Sequence, residues 1–305
     1  LGLLVDSKNQ IKITGDKSLS SRDFSRVTEP LKLFGANIES RNKKLPVKIF
    51  GTNFLRPISY VENIGSAQCK SAVIFASLKT PGVTIIKAKK SRNHTELLLK
   101  NLGVAIKVKK KKSFDYIEIK GQKNFKCFDY KIPGDISSCS FFLVLTLLAK
   151  NSKLTIKNVN INKTRTGIIT ILNKMGAQIK FKNTKNYKGE LISDIHVESK
   201  SNLKGVNCPQ SLNSSAIDEF LIIFLVAAKV KGISKFYNLG ELNKKESSRL
   251  DIAVNFLKMI GVKVIKKQND LKIFGNPKLK LNGVYEIKKF KKDHRVFMMS
   301  CIAAL

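Results

Sequence analysis

Histidine and cysteine, which build many metal sites, are scarce in this 305-residue sequence. Only three histidines occur, which argues against a histidine-rich metal centre. The five cysteines are odd in number and show no CxxC or zinc-type spacing. We therefore interpret them as free thiols in a reducing cytosol. They are Cys69, Cys127, Cys139, Cys208 and Cys301.

Long apolar stretches are also missing. No run reaches the roughly 20 residues that span a bilayer, and the basic, apolar and small-residue order of a signal peptide does not occur. The hydrophobic content is 43% and the mean hydropathy is −0.11. We therefore expect a folded cytoplasmic protein without a membrane segment, long enough for two domains.

Acidic residues are outnumbered: 22 Asp and Glu face 57 Lys and Arg, which gives a formal net charge of +35. Lysine accounts for 49 of these cations and arginine for only 8. A lysine surplus along the whole chain indicates compositional bias, so the clusters Lys107–Lys112 and Lys288–Lys292 are interpreted as solvated faces. No basic and aromatic motif of the RRM type occurs, so no specific nucleic-acid partner is expected. The high positive charge nevertheless keeps a basic nucleic-acid-binding protein as the alternative function from a different class.

Both ends lack the usual boundary signals. The sequence begins at Leu1 without an initiator methionine, and the apolar run Phe297–Leu305 closes it without a capping residue or stop signal. We therefore expect a fragment of a longer protein.

Four segments share one order of residues. An apolar helical run ends in a bulky residue, and a glycine follows it. The next three positions hold Ala or Val, a variable residue, and Ile or Val. Their glycines are Gly35, Gly103, Gly176 and Gly261. Each glycine is interpreted as the C′ residue that ends an amphipathic helix in the left-handed region. A strand, a turn and a second strand of alternating polarity should follow each one. The recurrence predicts an internal repeat of helix-and-sheet units.

Long apolar helices are predicted between the repeats, over Ser66–Leu78, Ser138–Ala149 and Ile217–Val230, and should be buried. The resulting fold class is α/β (α+β), with repeated helix-and-sheet units around buried helices. The boundary is predicted near Lys123–Lys131, so that residues 1–128 form a first domain and residues 129–305 a second.

The scarce arginines are informative because lysine serves elsewhere as the positive charge. An arginine retained in such a chain indicates a need for a planar, bidentate group. Five lie beside a turn or a helix start, where carboxylate or phosphate ligands can bind; the alternative is a set of surface ion pairs. They are Arg22, Arg92, Arg165, Arg249 and Arg295.

Acidic and hydroxyl side chains occupy further predicted helix starts. Asp218 and Glu219 should open the third apolar helix, and the stretch Glu241–Leu250 combines carboxylates with cations. Asp16 and Asp135 follow glycines and precede serines, as helix caps do. If the fold gathers Asp218, Glu246 and the arginines, an acid and a base would lie beside an anion site.

The ordered motifs resemble one family, the 3-phosphoshikimate 1-carboxyvinyltransferases or EPSP synthases, and within it the class II branch. Nine motifs follow in the family's order across nearly the whole chain. They are GDKSLSSR from Gly15, LRPISY from Leu55, SAQCKSA from Ser66, SRNHTELLL from Ser91, PGDISSCSFFL from Pro133, NKTRTGIITILNKMGA from Asn162, IDEF from Ile217, ELNKKESSRL from Glu241 and DHRVFMM from Asp293.

This resemblance implies a two-domain enolpyruvyl transferase fold and transfer of the enolpyruvyl group of phosphoenolpyruvate to the 5-hydroxyl of shikimate 3-phosphate. It implies no metal, no organic cofactor and a monomer. Asp218 would be the base and Glu246 the acid. The implied contacts to shikimate 3-phosphate are Ser66, Ala67, Gln68, Arg92, Asp218 and Lys245, and those to phosphoenolpyruvate are Arg22, Gln68, Arg249 and Arg295.

Departures from the family pattern are Asp23, Asn243 and Ser248, where we expect weakened support of the site and retained chemistry. The family's N-terminal Lys-Ser segment, its Gly-rich loop and its C-terminal Lys lie outside residues 1–305, so the 305-residue chain alone is expected to be inactive. The related UDP-N-acetylglucosamine enolpyruvyl transferase is the alternative within the fold; the Ser66-Ala67-Gln68 motif argues against it.

Overall fold

The computed structural model describes residues 1–121, 128–199, 202–281, 283–288 and 290–305. They divide into two compact units, Leu1–Tyr130 and Lys131–Leu305. Cys127, part of the predicted boundary region and Lys289 of the second lysine cluster lie outside the described residues.

The first unit contains seven strands and four helices among its described residues. The strands are β1 (Ile11–Ile13), β2 (Asn37–Ser40), β3 (Val47–Phe50), β4 (Ser59–Glu62), β5 (Val83–Lys89), β6 (Ile106–Lys110) and β7 (Phe114–Lys120). The helices are α1 (Lys17–Ser20), α2 (Ser25–Leu33), α3 (Ala67–Lys79) and α4 (His94–Asn101).

The second unit contains six strands and five helices among its described residues. The strands are β8 (Lys153–Asn160), β9 (Ile179–Tyr187), β10 (Glu190–Glu198), β11 (Gly232–Phe236), β12 (Val264–Lys267) and β13 (Asp270–Gly275). The helices are α5 (Ile136–Leu148), α6 (Gly167–Lys174), α7 (Phe220–Lys229), α8 (Arg249–Met259) and α9 (His294–Ala304).

The internal repeat is confirmed as a strand, helix, strand, strand unit that occurs four times in the described part of the chain. In every copy the last strand lies in the centre and pairs antiparallel with the other two. The sheet orders are β1-β3-β2, β5-β7-β6 with β4 added beside β5, β8-β10-β9 and β11-β13-β12.

The repeat glycines end their helices as predicted. Gly35, Gly103, Gly176 and Gly261 have φ values of 106°, 76°, 103° and 82°, in the left-handed region that a side chain disfavours. Each lies two residues beyond the last residue of α2, α4, α6 or α8, and the next strand begins two or three residues later. Each glycine therefore turns an amphipathic helix directly into the next strand of its sheet.

The apolar helices between the repeats are buried, as their all-round hydrophobicity predicts. All nine residues from Phe220 to Ala228 in α7 are buried, and most of α3 and α5 is buried as well. Each unit has its own hydrophobic core around these helices. Among the described residues, no helix combines the length and apolar character that crossing a membrane requires.

One predicted helix start is wrong. The third apolar helix begins at Phe220, and Ile217, Asp218 and Glu219 form a turn before it. Glu219 occupies the N-cap position, but its side chain makes no capping hydrogen bond. Its carboxylate instead binds a side chain on α5, which holds these residues in a turn.

Candidate active site

Arg249, the first residue of α8, is the largest fully buried side chain in the described structure, and its side chain is 2% exposed. It binds three carboxylates. Its Nε lies 2.9 Å and its Nη2 3.2 Å from the two oxygens of Asp293, while Nη1 lies 3.1 Å from Asp218 and Nη2 2.6 Å from Glu246. A planar fork can satisfy this arrangement, whereas a single ammonium cannot.

Asp293 fixes one edge of the Arg249 guanidinium. It caps α9 by accepting the Arg295 backbone N–H at 3.0 Å, and it accepts the Ser247 hydroxyl at 2.8 Å. Burial acts to raise the pKa of Asp293, but hydrogen bonds and charge from Arg249, with help from Ser247, outweigh burial and hold that pKa below its ordinary value. Asp293 therefore remains a carboxylate and holds Arg249 in place.

Asp218 and Lys245 lie on the half-buried side of the Arg249 guanidinium. The ammonium of Lys245 lies 3.4 Å from the same Asp218 oxygen that Arg249 binds. The side chains of Asp218, Lys245 and Glu246 are 13%, 29% and 28% exposed, so a ligand can reach them, whereas Arg249 and Asp293 are enclosed. We call Asp218, Lys245, Glu246, Arg249 and Asp293 the arginine cluster.

The backbone that carries Lys245 and Glu246 is anchored at both ends. A short 3₁₀ turn, Gly240–Lys244, precedes it, and α8 begins three residues after Glu246. The side-chain oxygen of Asn243 accepts the backbone N–H of Leu250 at 3.0 Å, and its amide donates to Asp251 at 2.9 Å. The short Lys245–Ser248 segment is thereby held against the start of α8.

A second polar group adjoins Asp218 through its neighbour Glu219, which is 1% exposed. Glu219 accepts the hydroxyl of Ser137. Arg165 donates to the Ser137 oxygen at 2.6 Å and to Asp135, the N-cap of α5, at 2.7 Å. Burial raises the pKa of Glu219 above its ordinary value, and the charge of Asp218 adds to the rise, while Ser137, Arg165 and Arg295 oppose it.

In the first unit, the turn before α3 is shaped by Glu62, which is 1% exposed. Its carboxylate accepts the backbone N–H groups of Ile64, Gly65 and Ser66 at 2.9–3.1 Å. The Ser66 hydroxyl then accepts the Cys69 N–H at 3.3 Å and caps the helix. Ser66 and Ala67 are half-buried and Gln68 is exposed.

Lys70, one turn into α3, is a fully buried lysine. Its ammonium lies 2.6 Å from Glu96 and donates to the backbone oxygen of Arg92 at 2.8 Å. The hydroxyls of Ser71 and Thr95 meet at 2.7 Å. These contacts join the helix that begins at Ser66-Ala67-Gln68 to the segment that carries Arg92.

The family model described as EPSP synthase (3-phosphoshikimate 1-carboxyvinyltransferase) matches residues 1–305. The chain belongs to the EPSP synthase family. It is 42% identical over 308 residues to the 3-phosphoshikimate 1-carboxyvinyltransferase of Caldicellulosiruptor bescii, covering 100% of this chain and 70% of that protein. The relative of the same name from Ruthia magnifica is 40% identical over 305 residues, with coverage of 100% and 68%.

A solved structure of EPSP synthase from Acinetobacter baumannii superposes with a TM-score of 0.83 at 34% identity, covering 100% of this chain and 69% of that chain. The predicted fold class is thereby confirmed as the mixed helix-and-sheet fold of EPSP synthases.

The residues that the family resemblance singled out fall into both units. The second unit brings Asp218, Lys245, Glu246 and Arg249 within ion-pair distance of one another. Arg295 lies on α9 next to the cap Asp293, with its Nη1 buried and without a hydrogen-bond partner among the described residues. Ser66, Ala67, Gln68 and Arg92 lie in the first unit, as does Arg22, which is half-buried after α1.

Several supporting residues escaped the sequence argument. Asp293, Ser247, Ser137 and Lys70 had no assigned role, although each belongs to a quoted motif, and neither had Glu62, which lies between two motifs. An acidic residue just before an apolar helix is the signal that could have marked Asp293 as a cap. Nothing local could have revealed that Asp293 also binds Arg249, 44 positions earlier in the chain.

The predicted helix caps and the cysteines have structural counterparts. Asp16 and Asp135 cap α1 and α5 as predicted. Cys69, Cys139, Cys208 and Cys301 are free, and burial raises the pKa of Cys139 to about 12, which leaves that thiol unreactive. In the described part of the chain, no three His, Cys, Asp or Glu side chains converge as metal ligands.

Of the departures from the family pattern, Asp23 accepts the backbone N–H of Ser25 at 2.7 Å at the start of α2. Asn243 holds the start of α8, as described above, so both of these residues make local contacts that support the backbone.

Proposed function

We propose that this chain carries the chemistry of an EPSP synthase, the transfer of the enolpyruvyl group of phosphoenolpyruvate to the 5-hydroxyl of shikimate 3-phosphate with release of phosphate. Membership of the family over residues 1–305 supports this reaction. The observation that carries the proposal is the arginine cluster, which combines two reachable carboxylates with cations around one buried guanidinium.

Asp218 is the proposed base. Its carboxylate accepts a hydrogen bond from Arg249 and lies 3.4 Å from the ammonium of Lys245. The 5-hydroxyl of shikimate 3-phosphate loses its proton as it attacks the enol carbon, so a partly exposed carboxylate is suited to receive that proton.

Glu246 is the proposed acid that protonates the methylene carbon. Its carboxyl group is 28% exposed and lies 2.6 Å from Nη2 of Arg249, so a bound substrate can reach it. Asp293 is enclosed and strongly paired with Arg249, which makes it unsuited to deliver a proton to a substrate.

The substrates are both anionic, and the proposal assigns cations to each. Lys245 and Asp218 would contact shikimate 3-phosphate, and Arg249 and Arg295 phosphoenolpyruvate. Arg249 already uses four of its five N–H groups on three carboxylates, so at most one of them is left for another anion while these contacts last. Arg295 has a buried Nη1 without a partner among the described residues and can donate at once.

The first unit supplies the remaining proposed contacts. Ser66, Ala67 and Gln68 lie at the capped start of α3, where backbone N–H groups favour anionic and hydroxyl ligands, and would hold shikimate 3-phosphate with Arg92. Arg22 and Gln68 would contact phosphoenolpyruvate.

The proposal also includes a cytoplasmic monomer that needs no metal or organic cofactor, with domains at residues 1–128 and 129–305. The compact units Leu1–Tyr130 and Lys131–Leu305 support a boundary within two residues of this position.

The test uses protein expressed from the complete coding sequence. Inorganic phosphate release should require both phosphoenolpyruvate and shikimate 3-phosphate, and Glu246→Gln and Asp218→Asn should each lower turnover about 10²- to 10⁴-fold, as loss of a general acid or base does. Lys245→Gln should weaken the binding of shikimate 3-phosphate. Lys244→Gln is its matched control, because Lys244 is 63% exposed and, among the described residues, forms an ion pair with surface Glu241.

Phosphate release with UDP-N-acetylglucosamine in place of shikimate 3-phosphate would favour the related transferase. Steeply salt-dependent binding to RNA, without any stabilisation by shikimate 3-phosphate, would favour the nucleic-acid-binding alternative. Wild-type protein that releases no phosphate from the two substrates would contradict the proposed reaction.

A further inference from the structure

We infer that Glu219 is a positioning residue: by binding Ser137 it fixes the turn that presents Asp218 to the arginine cluster. This inference rests on the proposed function, in which Asp218 is the base. It concerns a buried carboxylate that the proposed chemistry does not use.

The hydrogen-bond directions in this network follow from the atoms present. Arg165 can only donate, so the Ser137 oxygen accepts from it at 2.6 Å. The Ser137 hydroxyl therefore directs its own proton to Glu219, which acts as the acceptor. Because Arg165 also binds Asp135 at 2.7 Å, the chain from Asp135 to Glu219 alternates donors and acceptors without conflict.

This network ties together parts of the chain that are far apart in sequence. Ser137 lies in the first turn of α5, and Arg165 lies in the turn before α6. Glu219 is 82 positions from Ser137 and directly follows Asp218. The side chain of Ser137 is fully buried, so water does not compete for this hydrogen bond.

The same turn is held from its other side by backbone contacts. Gly167 donates to the backbone oxygen of Ser215 at 3.2 Å, and a Cβ at Gly167 would lie 2.4 Å from the Ser215 hydroxyl oxygen. The start of α6 therefore packs directly against the segment before Asp218. The backbone N–H of Glu219 also donates to the backbone oxygen of Ala216 at 3.0 Å.

Asp218 lies between these supports and its ligands. The turn backbone is fixed at Ser215 and at Glu219, so the Asp218 carboxylate has little freedom other than side-chain rotation. Arg249 at 3.1 Å and Lys245 at 3.4 Å then set the rotation. Without the Glu219 hydrogen bond, the turn loses its only side-chain anchor to α5 among the described contacts, and the base can drift from the reacting hydroxyl.

The experiment measures turnover and KM for both substrates in protein from the complete coding sequence. Glu219→Leu removes the acceptor and Ser137→Ala the donor; each is expected to lower kcat up to about 10²-fold, as misplacement of a catalytic group by about 1 Å does, with little change in KM. Glu219→Gln keeps an acceptor oxygen for Ser137 and should recover kcat to within about fivefold of wild type.

Ser77→Ala is the matched control for Ser137→Ala. Ser77 is also a buried helical serine, with its hydroxyl bound to the Val73 backbone oxygen at 2.7 Å, and it lies in the first unit. Its removal should leave kcat unchanged. Urea unfolding of each variant shows whether the fold is intact.

Low kcat in folded Glu219→Leu and Ser137→Ala protein, with recovery in Glu219→Gln, supports the positioning role. Wild-type kcat in either of the first two variants overturns it, as does a Glu219→Gln protein as impaired as Glu219→Leu. If Glu219→Leu does not fold, Ser137→Ala and Glu219→Gln decide by the same criteria. Inactive wild-type protein contradicts the proposed reaction itself, whereas active wild type with unaffected variants contradicts the positioning role alone.

Discussion

Among the described residues, each compact unit contains one cation that is almost completely enclosed, and the two differ in chemistry. Lys70 in the first unit has one carboxylate partner, Glu96, and one backbone oxygen, that of Arg92. Arg249 in the second unit has three carboxylate partners. In a chain with 49 lysines and 8 arginines, arginine remains where a single guanidinium must meet several oxygens in fixed directions.

The two sites also differ in exposure. Lys70 and Glu96 are both enclosed, which suits a structural link between α3 and α4. In the arginine cluster the carboxylates of Asp218 and Glu246 are partly exposed, so a ligand can reach them. An enclosed pair stabilises a link, whereas a partly exposed cluster can contact a ligand.

The most severe test of this comparison is Arg249→Lys. Lysine keeps the charge but cannot span Asp293, Asp218 and Glu246, so we expect kcat to fall about 10³-fold or more and the free energy of unfolding to fall by about 3 kcal/mol. Phosphate release and urea unfolding measure the two effects. Arg41→Lys, at an exposed arginine, is the control and should change neither. Near-normal turnover in Arg249→Lys would show that the fork is unnecessary.

The second test removes the lysine of the first unit. Lys70→Met leaves the carboxylate of Glu96 enclosed without its cation and should lower the free energy of unfolding by about 3 kcal/mol, measured by urea denaturation. Adding Glu96→Leu should recover most of that loss, because apolar replacement of a whole buried pair is often neutral. No recovery in the double variant would mean that Lys70 acts mainly through the Arg92 oxygen.

The third test uses pH. Arg249 holds the pKa of Asp293 below its unfolded value of 3.8, so ionised Asp293 stabilises the fold above that pH, and the stabilisation is lost as pH falls through the lower folded pKa. Asp293→Asn should cost about 2 kcal/mol near neutral pH, and its deficit relative to wild type should shrink below about pH 4. A deficit that is constant with pH in urea unfolding would assign the loss to packing.

The smallest effects are expected at the repeat glycines. Gly103→Ala in the first unit forces alanine to φ 76° with no atom within 4 Å of the new Cβ, so a loss of about 1 kcal/mol is expected. Gly176→Ala in the second unit adds a contact of 2.9 Å to the backbone oxygen of Asn202 and should cost more. Thermal unfolding of the two variants compares them; equal losses would show that the backbone near Asn202 relaxes.

The sequence was sufficient for the features that depend on local chemistry. In all four repeats a glycine after an apolar helical run ends the helix in the left-handed region, so Gly35 and its three counterparts could be recognised without a structure. The same holds for the caps Asp16 and Asp135. The order of the family motifs was enough to predict that Asp218, Glu246 and Arg249 belong to one site.

Features that depend on distant partners could not be predicted in this way. The third apolar helix starts later than its pattern indicates because Glu219 binds Ser137 instead of capping its own helix. Lys70 resembles dozens of solvated lysines in the sequence, and only the position of Glu96 makes it a buried ion pair. Such contacts join residues that are 26 to 82 positions apart, beyond any local pattern.

The strand order within the repeat has a consequence for how the chain is made. In each copy the second and third strands are neighbours in sequence and can pair as soon as both exist, which leaves one edge of the third strand open. An open edge is a template for aggregation. The strand that covers this edge is the first of the unit, and it has already left the ribosome when the edge forms. In a nascent chain, the strand that covers the open edge of the third strand is therefore already present when that edge forms.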